Sequence, residues 1–255
     1  MKLVIFRKYG KTIEITETEK TPSSDRCVSS TRKTGNIINT RRSDSVRRTK
    51  RICLRKLLSA IEVFGSPLFL TLTFEGSASD VLFSSKCLSD FMRQLRIAFP
   101  KSHVLFVPEL SPRGRIHFHG LLFGVSQEWG DIKKGKRTIS IGRERKERYF
   151  AKLWGYGFVD IKQTDGSPRL ASYVAKYVAK GVVEPFLTPL RLIRTSKGFP
   201  KELTIKELTL EQLDRSFKFS QIKPDFYSEF YTPFFGNIKK TFYTIDSSTP
   251  YYLNH

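Results

Sequence analysis

The order of apolar segments between residues 68 and 125 constrains the fold of this chain more than any other feature. Leu68–Phe74 is an apolar run with aromatic and β-branched residues, which predicts a buried strand. Apolar residues then recur at helical spacing as far as Phe99, and Pro100 ends the helix. The pattern predicts a strand, a helix, a strand, a turn and a strand at residues 68–74, 80–99, 104–107, 111–114 and 116–125. The last two strands are therefore expected to form an antiparallel hairpin.

The remaining segments carry weaker signals. Regular structure is predicted for a hairpin at 3–6 and 12–16, helices at 143–154, 168–180 and near 208–219, and a strand at 157–161. The hairpin turns at Tyr9-Gly10-Lys11, and Gly181 is expected to end the helix before it. Residues 20–40 and 130–136 are expected to be irregular, and the chain ends in an aromatic-rich tail.

The chain carries a large excess of positive charge, with 45 Lys and Arg against 24 Asp and Glu and a formal net charge of +21. Folding does not need such an excess, which repels itself in a compact state. A polyanionic partner such as nucleic acid explains the charge best, and a basic surface that is merely solvated is the alternative.

Many of these cations lie in residues 41–56, where apolar residues at helical spacing in the later half predict a helix with a basic face. One interpretation is an arm that grips phosphates, and the other is a solvated helix. The candidate DNA-binding residues are Arg41, Arg42, Arg47, Arg48, Lys50, Arg51 and Arg55.

The cysteines and the apolar runs indicate a compartment. Cys27, Cys53 and Cys87 are odd in number and lack Cys-x-x-Cys spacing, which argues against a disulfide framework or a cysteine zinc site and favours a reducing cytoplasm. The apolar segment before Arg7 is too short for a signal-peptide core, and no apolar run approaches the ~20 residues of a membrane span. No membrane partner is expected.

Two of the four histidines form the motif His117-Phe118-His119. Residues two apart on a strand point to the same side, ~6.6 Å apart, so both imidazoles can reach one metal ion. Glu109 lies where the preceding strand is expected to end, and a hairpin brings it near both histidines. This set leaves room for a phosphate oxygen and water and suits Mg²⁺ or Mn²⁺. Glu109 could instead be an ordinary strand-end residue, with Asp160 as the alternative carboxylate.

A tandem tetrapeptide at residues 173–180, YVAKYVAK, is the second candidate site. At ~100° per residue, Tyr173, Lys176, Tyr177 and Lys180 share one side of a helix, and the small aliphatic residues share the other. A tyrosine can attack a phosphodiester and form a covalent phosphotyrosine. A nearby metal ion and ammonium groups would favour the phenolate. Two tyrosines packed in a core are the alternative.

Three motifs in this order resemble those of rolling-circle replication initiators of the HUH endonuclease superfamily. The closest resemblance is to replication proteins of small single-stranded DNA phages of the microvirus type. Residues 69–74 are similar to the first motif, a core strand. His117-Phe118-His119 matches the histidine–hydrophobe–histidine motif, and residues 173–180 match the two-tyrosine form of the tyrosine motif. The resemblance covers roughly residues 65–185.

The resemblance implies an α+β fold in which helices flank a central antiparallel sheet that carries the histidines on a central strand. We divide the chain into a hairpin and basic arm (1–64), an endonuclease core (65–200) and a carboxy-terminal extension (201–255).

The resemblance also implies an activity, which is to nick one DNA strand at an origin, keep the 5′ phosphate on a tyrosine and leave a 3′ hydroxyl for a host polymerase. A host helicase is expected to unwind the duplex, since no separate ATPase domain follows, and the host cytoplasm is the expected location. The implied residues are His117, His119 and Glu109 for Mg²⁺ or Mn²⁺, Tyr173 and Tyr177 as nucleophiles, and Lys176 and Lys180 at the phosphate.

Two alternatives stay open. A plasmid initiator, relaxase or single-strand transposase would use the same chemistry, whereas a non-enzymatic single-stranded DNA-binding protein would use the basic surface and exposed aromatic residues. Nucleotide hydrolysis is not expected, because the loop-like segment 130–137 has Arg137 where Ser or Thr must bind Mg²⁺.

Overall fold

The computed structural model describes residues 3–19, 43–76, 80–126, 132–134, 137–139, 142–187, 189–206, 209–217, 221–232 and 235–245. The segment 20–40 and the last ten residues of the aromatic-rich tail lie outside these ranges. In chain order the elements are β1 (Leu3–Tyr9), β2 (Thr12–Thr18), α1 (Ser43–Phe64), β3 (Leu68–Phe74), α2 (Val81–Ala98), β4 (His103–Leu110), β5 (Ile116–Phe123), β6 (Ile132–Lys134), β7 (Arg137–Ile139), α3 (Gly142–Trp154), β8 (Gly157–Gln163), α4 (Pro168–Val183), a 3₁₀ turn (Pro185–Leu187), β9 (Arg194–Thr195), β10 (Leu203–Lys206), α5 (Leu210–Phe217), β11 (Phe226–Thr232) and β12 (Gly236–Thr244).

The chain divides into two compact units, Ile37–Pro200 and a unit made of Met1–Asn36 with Lys201–His255. In the second unit five antiparallel strands run in the order β10-β1-β2-β12-β11. The predicted amino-terminal hairpin is confirmed as β1 and β2. The hairpin and the basic helix α1, which we placed in one segment from the sequence, belong to different units.

The larger unit holds an antiparallel sheet in the order β8-β3-β5-β4-β9 with helices packed against it. Together with the second sheet, this confirms the predicted fold class, α+β with an antiparallel sheet flanked by helices. The histidine strand β5 is the central strand, between β3 and β4.

The opposite face of this sheet from the histidines is an aromatic core. Trp154 of α3 makes edge contacts with Phe74 at 4.9 Å, with Phe118 at 6.5 Å and with Phe91 of α2 at 5.6 Å between ring centroids. Phe118 alternates with the two histidines along β5, so the strand buries one side in this core and keeps the histidines on the other.

Helix α4 packs against β4 and along α1, because one side of it is apolar. Ala171, Val174, Ala175 and Val178 are completely buried, as the helical spacing predicts. The tyrosines therefore lie on the sides of α4 that remain, towards the histidine strand and solvent.

Two predicted boundaries were wrong. Strand β4 does not end at Pro108-Glu109 but continues to Leu110. The backbone of Val104 bonds Ser196 on the outer side of β4, and Pro108 shares that orientation but lies beyond the short β9, so its missing N–H leaves no bond unmade.

Helix α4 likewise continues past Gly181 to Val183. A Cβ at Gly181 would lie 3.3 Å from the carbonyl oxygen of Pro108 and 3.0 Å from the Leu192 side chain. The glycine therefore allows close packing of helix on strand and is not a helix stop. The predicted loop at 130–136 also contains strand β6, which pairs with β7.

Candidate active site

The two histidines lie on the same face of β5 and each contacts a threonine of β3. Thr73 is opposite His117 in the sheet, with its Oγ1 3.0 Å from Nδ1 of that ring. Thr71 is opposite His119, with its Oγ1 3.3 Å from Nδ1. Both Nδ1 atoms are thus engaged by hydroxyl groups, which orients the Nε2 atoms away from β3.

Glu109 joins the histidine strand to the tyrosine helix. It lies opposite His117 on β4, and its Oε2 is 2.7 Å from Nε2 of His119. Its Oε1 accepts a hydrogen bond from Nζ of Lys180 at 2.8 Å. One carboxylate therefore bonds an imidazole and an ammonium group at the same time.

Both tyrosines lie against this cluster. The Tyr177 ring stacks on the His119 ring with centroids 4.0 Å apart and an angle of 22° between the planes. Tyr173 packs edge-on against Tyr177 at 5.2 Å and also contacts Phe69 at 5.8 Å. The Tyr177 hydroxyl donates a hydrogen bond to the Tyr173 hydroxyl, and Tyr173 is 46% exposed.

The surroundings favour neutral imidazoles and an ionised carboxylate. Burial lowers the pKa of His119 and of His117 below the ordinary value, although Glu109 opposes the shift in both. Burial raises the pKa of Glu109, but hydrogen bonds from Lys180 and His119 outweigh it, and the net pKa is lowered. At neutral pH the three groups are in the protonation states that bind a cation.

The lysine and tyrosine of the cluster are held protonated. The hydrogen bond to Glu109 raises the pKa of Lys180. Burial, with the Tyr173 hydrogen bond and the Glu109 charge, raises the pKa of Tyr177. Attack by Tyr177 on a phosphate would therefore need additional positive charge beside its oxygen.

The donor chemistry fits a divalent cation, although the side chains as they stand do not enclose one. In the described part of the chain, no group of three or more His, Cys, Asp or Glu residues forms a metal site. His119 and Glu109 instead bond each other directly. Two neutral imidazoles, oriented through Nδ1, and an ionised carboxylate are ligands that Mn²⁺ accepts, and Mg²⁺ would rely more on the carboxylate. Binding would replace the direct His119–Glu109 contact.

Two candidates lie apart from this cluster. Lys176 is exposed and makes no hydrogen bond or ion pair among the described residues. Asp160, the alternative carboxylate, is opposite Thr71 on β8, on the other side of β3 from the histidines. Arg143 and Lys162 both pair with Asp160.

The basic helix α1 packs along α4, and its cations differ in exposure. Arg47, Arg48, Lys50 and Arg51 are exposed, whereas Arg55 is buried. Arg41 and Arg42 lie outside the described residues. Residues 37–200 carry 30 Lys and Arg against 13 Asp and Glu, a net +17, and the rest of the chain carries 15 against 11, a net +4. The positive charge is thus concentrated in the unit that holds the histidines and tyrosines.

Sequence reasoning missed the residues that support the cluster. Thr71 and Thr73 alternate along β3, as the histidines do along β5, and this spacing was a usable signal. Arg115 also escaped notice, although it is two residues before His117 and its charge contributes to the lowered pKa of that imidazole after burial has had the larger effect.

Comparisons with known proteins bear on the larger unit. Among the described residues, no helix combines the length and apolar character needed to cross a membrane. No curated protein and no solved structure matches the chain. Residues 67–182 match the family model of the ORF2-type replication-associated protein, and this segment contains both histidines, Glu109 and both tyrosines. The chain is therefore similar to replication-associated proteins, and the match supports a family of replication initiators.

Proposed function

We propose that this protein starts rolling-circle replication of a microvirus-type phage by nicking and rejoining one DNA strand through a covalent 5′-phosphotyrosine. This is the chemistry of the HUH endonuclease superfamily. One observation carries the proposal: the Tyr177 ring stacks on His119 while Glu109 bonds both His119 and Lys180. Candidate nucleophiles, metal ligands and a cation thus share one face of the sheet.

Each residue has a distinct part in the cleavage step. A tyrosine hydroxyl loses its proton, and the oxygen attacks the phosphorus of the DNA backbone. A new P–O bond to tyrosine forms as the P–O3′ bond breaks, and the departing 3′ oxygen takes up a proton to become a hydroxyl. Rejoining reverses these bond changes, so it needs no ATP.

The surrounding groups supply the positive charge that this step needs. Lys180 lies beside the Tyr177 ring, with Nζ 5.5 Å from the ring centroid, and can stabilise charge on the phosphate oxygens. A Mg²⁺ or Mn²⁺ ion held by His117, His119 and Glu109 would act as a Lewis acid on the phosphate. Thr71 and Thr73 keep the imidazoles oriented.

The two tyrosines allow a second transfer while the first strand end remains attached. Tyr173 is the more exposed of the two, and its oxygen accepts the hydrogen bond of Tyr177. A donated hydrogen bond favours a phenolate. We expect Tyr173 to attack first and Tyr177 to serve the second transfer. A host polymerase would then extend the 3′ hydroxyl, and a host helicase would unwind the duplex.

The test is a covalent capture experiment. The purified protein is mixed with Mn²⁺ and single-stranded oligonucleotides that have a random central segment, and adducts that survive denaturation in detergent are recovered and sequenced. We expect an adduct with one preferred DNA sequence. The Tyr173→Phe, Tyr177→Phe double variant should give none, yet still bind DNA.

A matched control uses a second pair of exposed tyrosines four residues apart. Tyr227 and Tyr231 of β11 are 63% and 66% exposed, and the Tyr227→Phe, Tyr231→Phe variant should give the parental yield of adduct. An adduct that persists unchanged in the Tyr173, Tyr177 double variant would reject the proposal. The captured sequence would also separate a phage origin from the target of a plasmid initiator, relaxase or transposase.

A non-enzymatic single-stranded DNA-binding protein is the second candidate. Four exposed aromatic residues favour it, because bases stack on such rings. They lie on the edge strand β11 and are Phe226, Tyr227, Phe230 and Tyr231. DNA binding without any adduct in the capture experiment would support this function over the enzyme.

A further inference from the structure

Phe158 is an exposed aromatic residue on the face of the sheet that carries the histidines. It lies opposite Thr73 on β8, and Thr73 lies opposite His117 on β5. Residues opposite each other in neighbouring strands share a face, so Phe158, Thr73, His117 and Glu109 form one row across four strands. At ~4.8 Å per strand, Phe158 is about 10 Å from His117.

The exposure of Phe158 is unusual for this sheet. Its neighbours Val159 and Ile161 are 6% and 4% exposed, whereas Phe158 is 66% exposed. Helix α4 covers the β4 side of the histidine strand and makes only minor contact with β5, so the β8 side is open. A large apolar ring beside a candidate phosphodiester site is therefore available to a ligand.

The backbone beneath this ring is firmly held. Strand β8 pairs with β3 along its whole length, and Nε1 of Trp154 donates a hydrogen bond to the carbonyl oxygen of Thr73 at 3.2 Å. A Cβ at Gly157 would come within 2.4 Å of that same oxygen, so this end of β8 lies directly on β3. The ring position is fixed relative to Thr73 and hence to His117.

Cations lie along the same edge of the sheet. Lys162 is on the face of Phe158, and its side chain is 60% exposed. Arg143 is 59% exposed and pairs with Asp160 and Glu147, which hold its guanidinium at the edge of β8. A groove of about 370 Å³ beside them is lined by Arg143, Lys146 and Lys162.

We propose that Phe158 is a stacking platform for a nucleobase close to the phosphate that is cut, and that Lys162 and Arg143 bind the phosphates beyond it. This inference rests on the proposed function, which supplies the DNA strand at the histidines. About 10 Å corresponds to three nucleotides at the ~3.4 Å rise of stacked bases, or fewer in an extended strand. A phenyl ring has no hydrogen-bonding group, so it fixes the position of the strand and leaves its sequence unread.

The first test measures binding without chemistry. In the Tyr173→Phe, Tyr177→Phe background, Phe158→Ala should weaken the Kd for fluorescein-labelled oligo(dT) by about 5- to 100-fold. Phe158→Trp should retain tight binding, because indole also stacks. Leu82→Ala is the matched control: it removes another exposed apolar side chain, 75% exposed on α2, and should change the Kd by less than about twofold.

The second test needs no substitution at Phe158, so it stands even if the alanine variant folds poorly. Oligo(dT) with one 5-iododeoxyuridine is irradiated on the same double variant, and the crosslinked peptide is identified by mass spectrometry. A crosslink to Phe158 supports the proposal. Crosslinks confined to other residues, or a Phe158→Ala variant that binds as tightly as its parent, overturn it.

The outcome is separable from that of the proposed function. Covalent adducts from the random pool with no role for Phe158 in either test would leave the nicking function standing and remove this inference. A chain that forms no adduct but crosslinks at Phe158 would remain a stacking protein without the enzyme activity.

Discussion

Replacing Gly120 by alanine should destabilise the protein and test the strand register on which the site depends. Gly120 follows His119 on β5, and a Cβ there would lie 2.1 Å from Cε1 and 2.3 Å from Cδ1 of Phe106. Carbon atoms in contact are normally ~3.5–4.0 Å apart. Phe106 is completely buried and packs against Phe91 with centroids 6.0 Å apart, so its ring has no free space to enter.

The magnitude follows from the cost of overpacking a core. Extra carbon atoms in a well-packed interior cost about 1–3 kcal/mol. For a chain of this size each kcal/mol lowers Tm by about 2–4 °C, so the expected loss is about 2–12 °C. Adding Phe106→Leu to Gly120→Ala should recover part of the loss, because the smaller side chain leaves room for the new methyl group.

Thermal unfolding followed by circular dichroism measures all three variants. Phe106→Leu alone should also be destabilising, so the decisive quantity is the coupling between the two changes. Full additivity, or a Gly120→Ala variant as stable as the parent, would mean that Gly120 does not face Phe106. The pairing of β4 with β5 would then be wrong, and Glu109 would no longer lie opposite His117.

Four further outcomes are expected. His117→Ala should lower the yield of Mn²⁺-dependent adduct at least 10-fold while the Kd for single-stranded DNA stays within about twofold, because ligand and orienting groups of metal sites typically contribute 10- to 100-fold; equal losses in both assays would indicate a structural histidine. Lys180→Met should lower the single-turnover rate and raise the pKa of Glu109 towards its ordinary value, so that activity is lost at a higher pH on acidification than in the parent, and an unchanged pH–rate profile would contradict this. Burial lowers the pKa of folded His119, so its contribution to stability is present above its unfolded pKa of about 6.5 and is lost as pH falls through the lower folded value; His119→Gln should flatten that part of the curve of unfolding free energy against pH, and a curve identical to the parent would refute the shift. Binding to single-stranded DNA should weaken steeply with salt as counterions are released, and a flat response would argue against phosphate contacts.

Short-range spacing predicted the elements and the candidate residues well. The two-residue period of a strand placed both histidines on one side, and the helical period separated the tyrosines from the buried residues of α4. These relations depend only on local geometry, so a single sequence reveals them.

Contacts between distant segments were beyond the reach of local patterns. The bond from Lys180 to Glu109 joins residues 71 positions apart. The burial of Arg55 depends on the packing of α1, and strands β9 to β12 are short or paired with strands remote in sequence. Pro108 within β4 went against a sound propensity rule, because the end of β9 removes the hydrogen bond that the rule protects.

Mapping the amino acid attached to DNA tests the central claim most directly. The covalent adduct formed with Mn²⁺ and single-stranded DNA is digested with protease and nuclease, and the nucleotide-bearing peptide is sequenced by mass spectrometry. We predict a phosphotyrosyl linkage to Tyr173 in the first turnover, with Tyr177 labelled when Tyr173 is replaced by phenylalanine. A linkage to any residue outside this pair, or no linkage under conditions in which the protein binds the strand, would contradict the account.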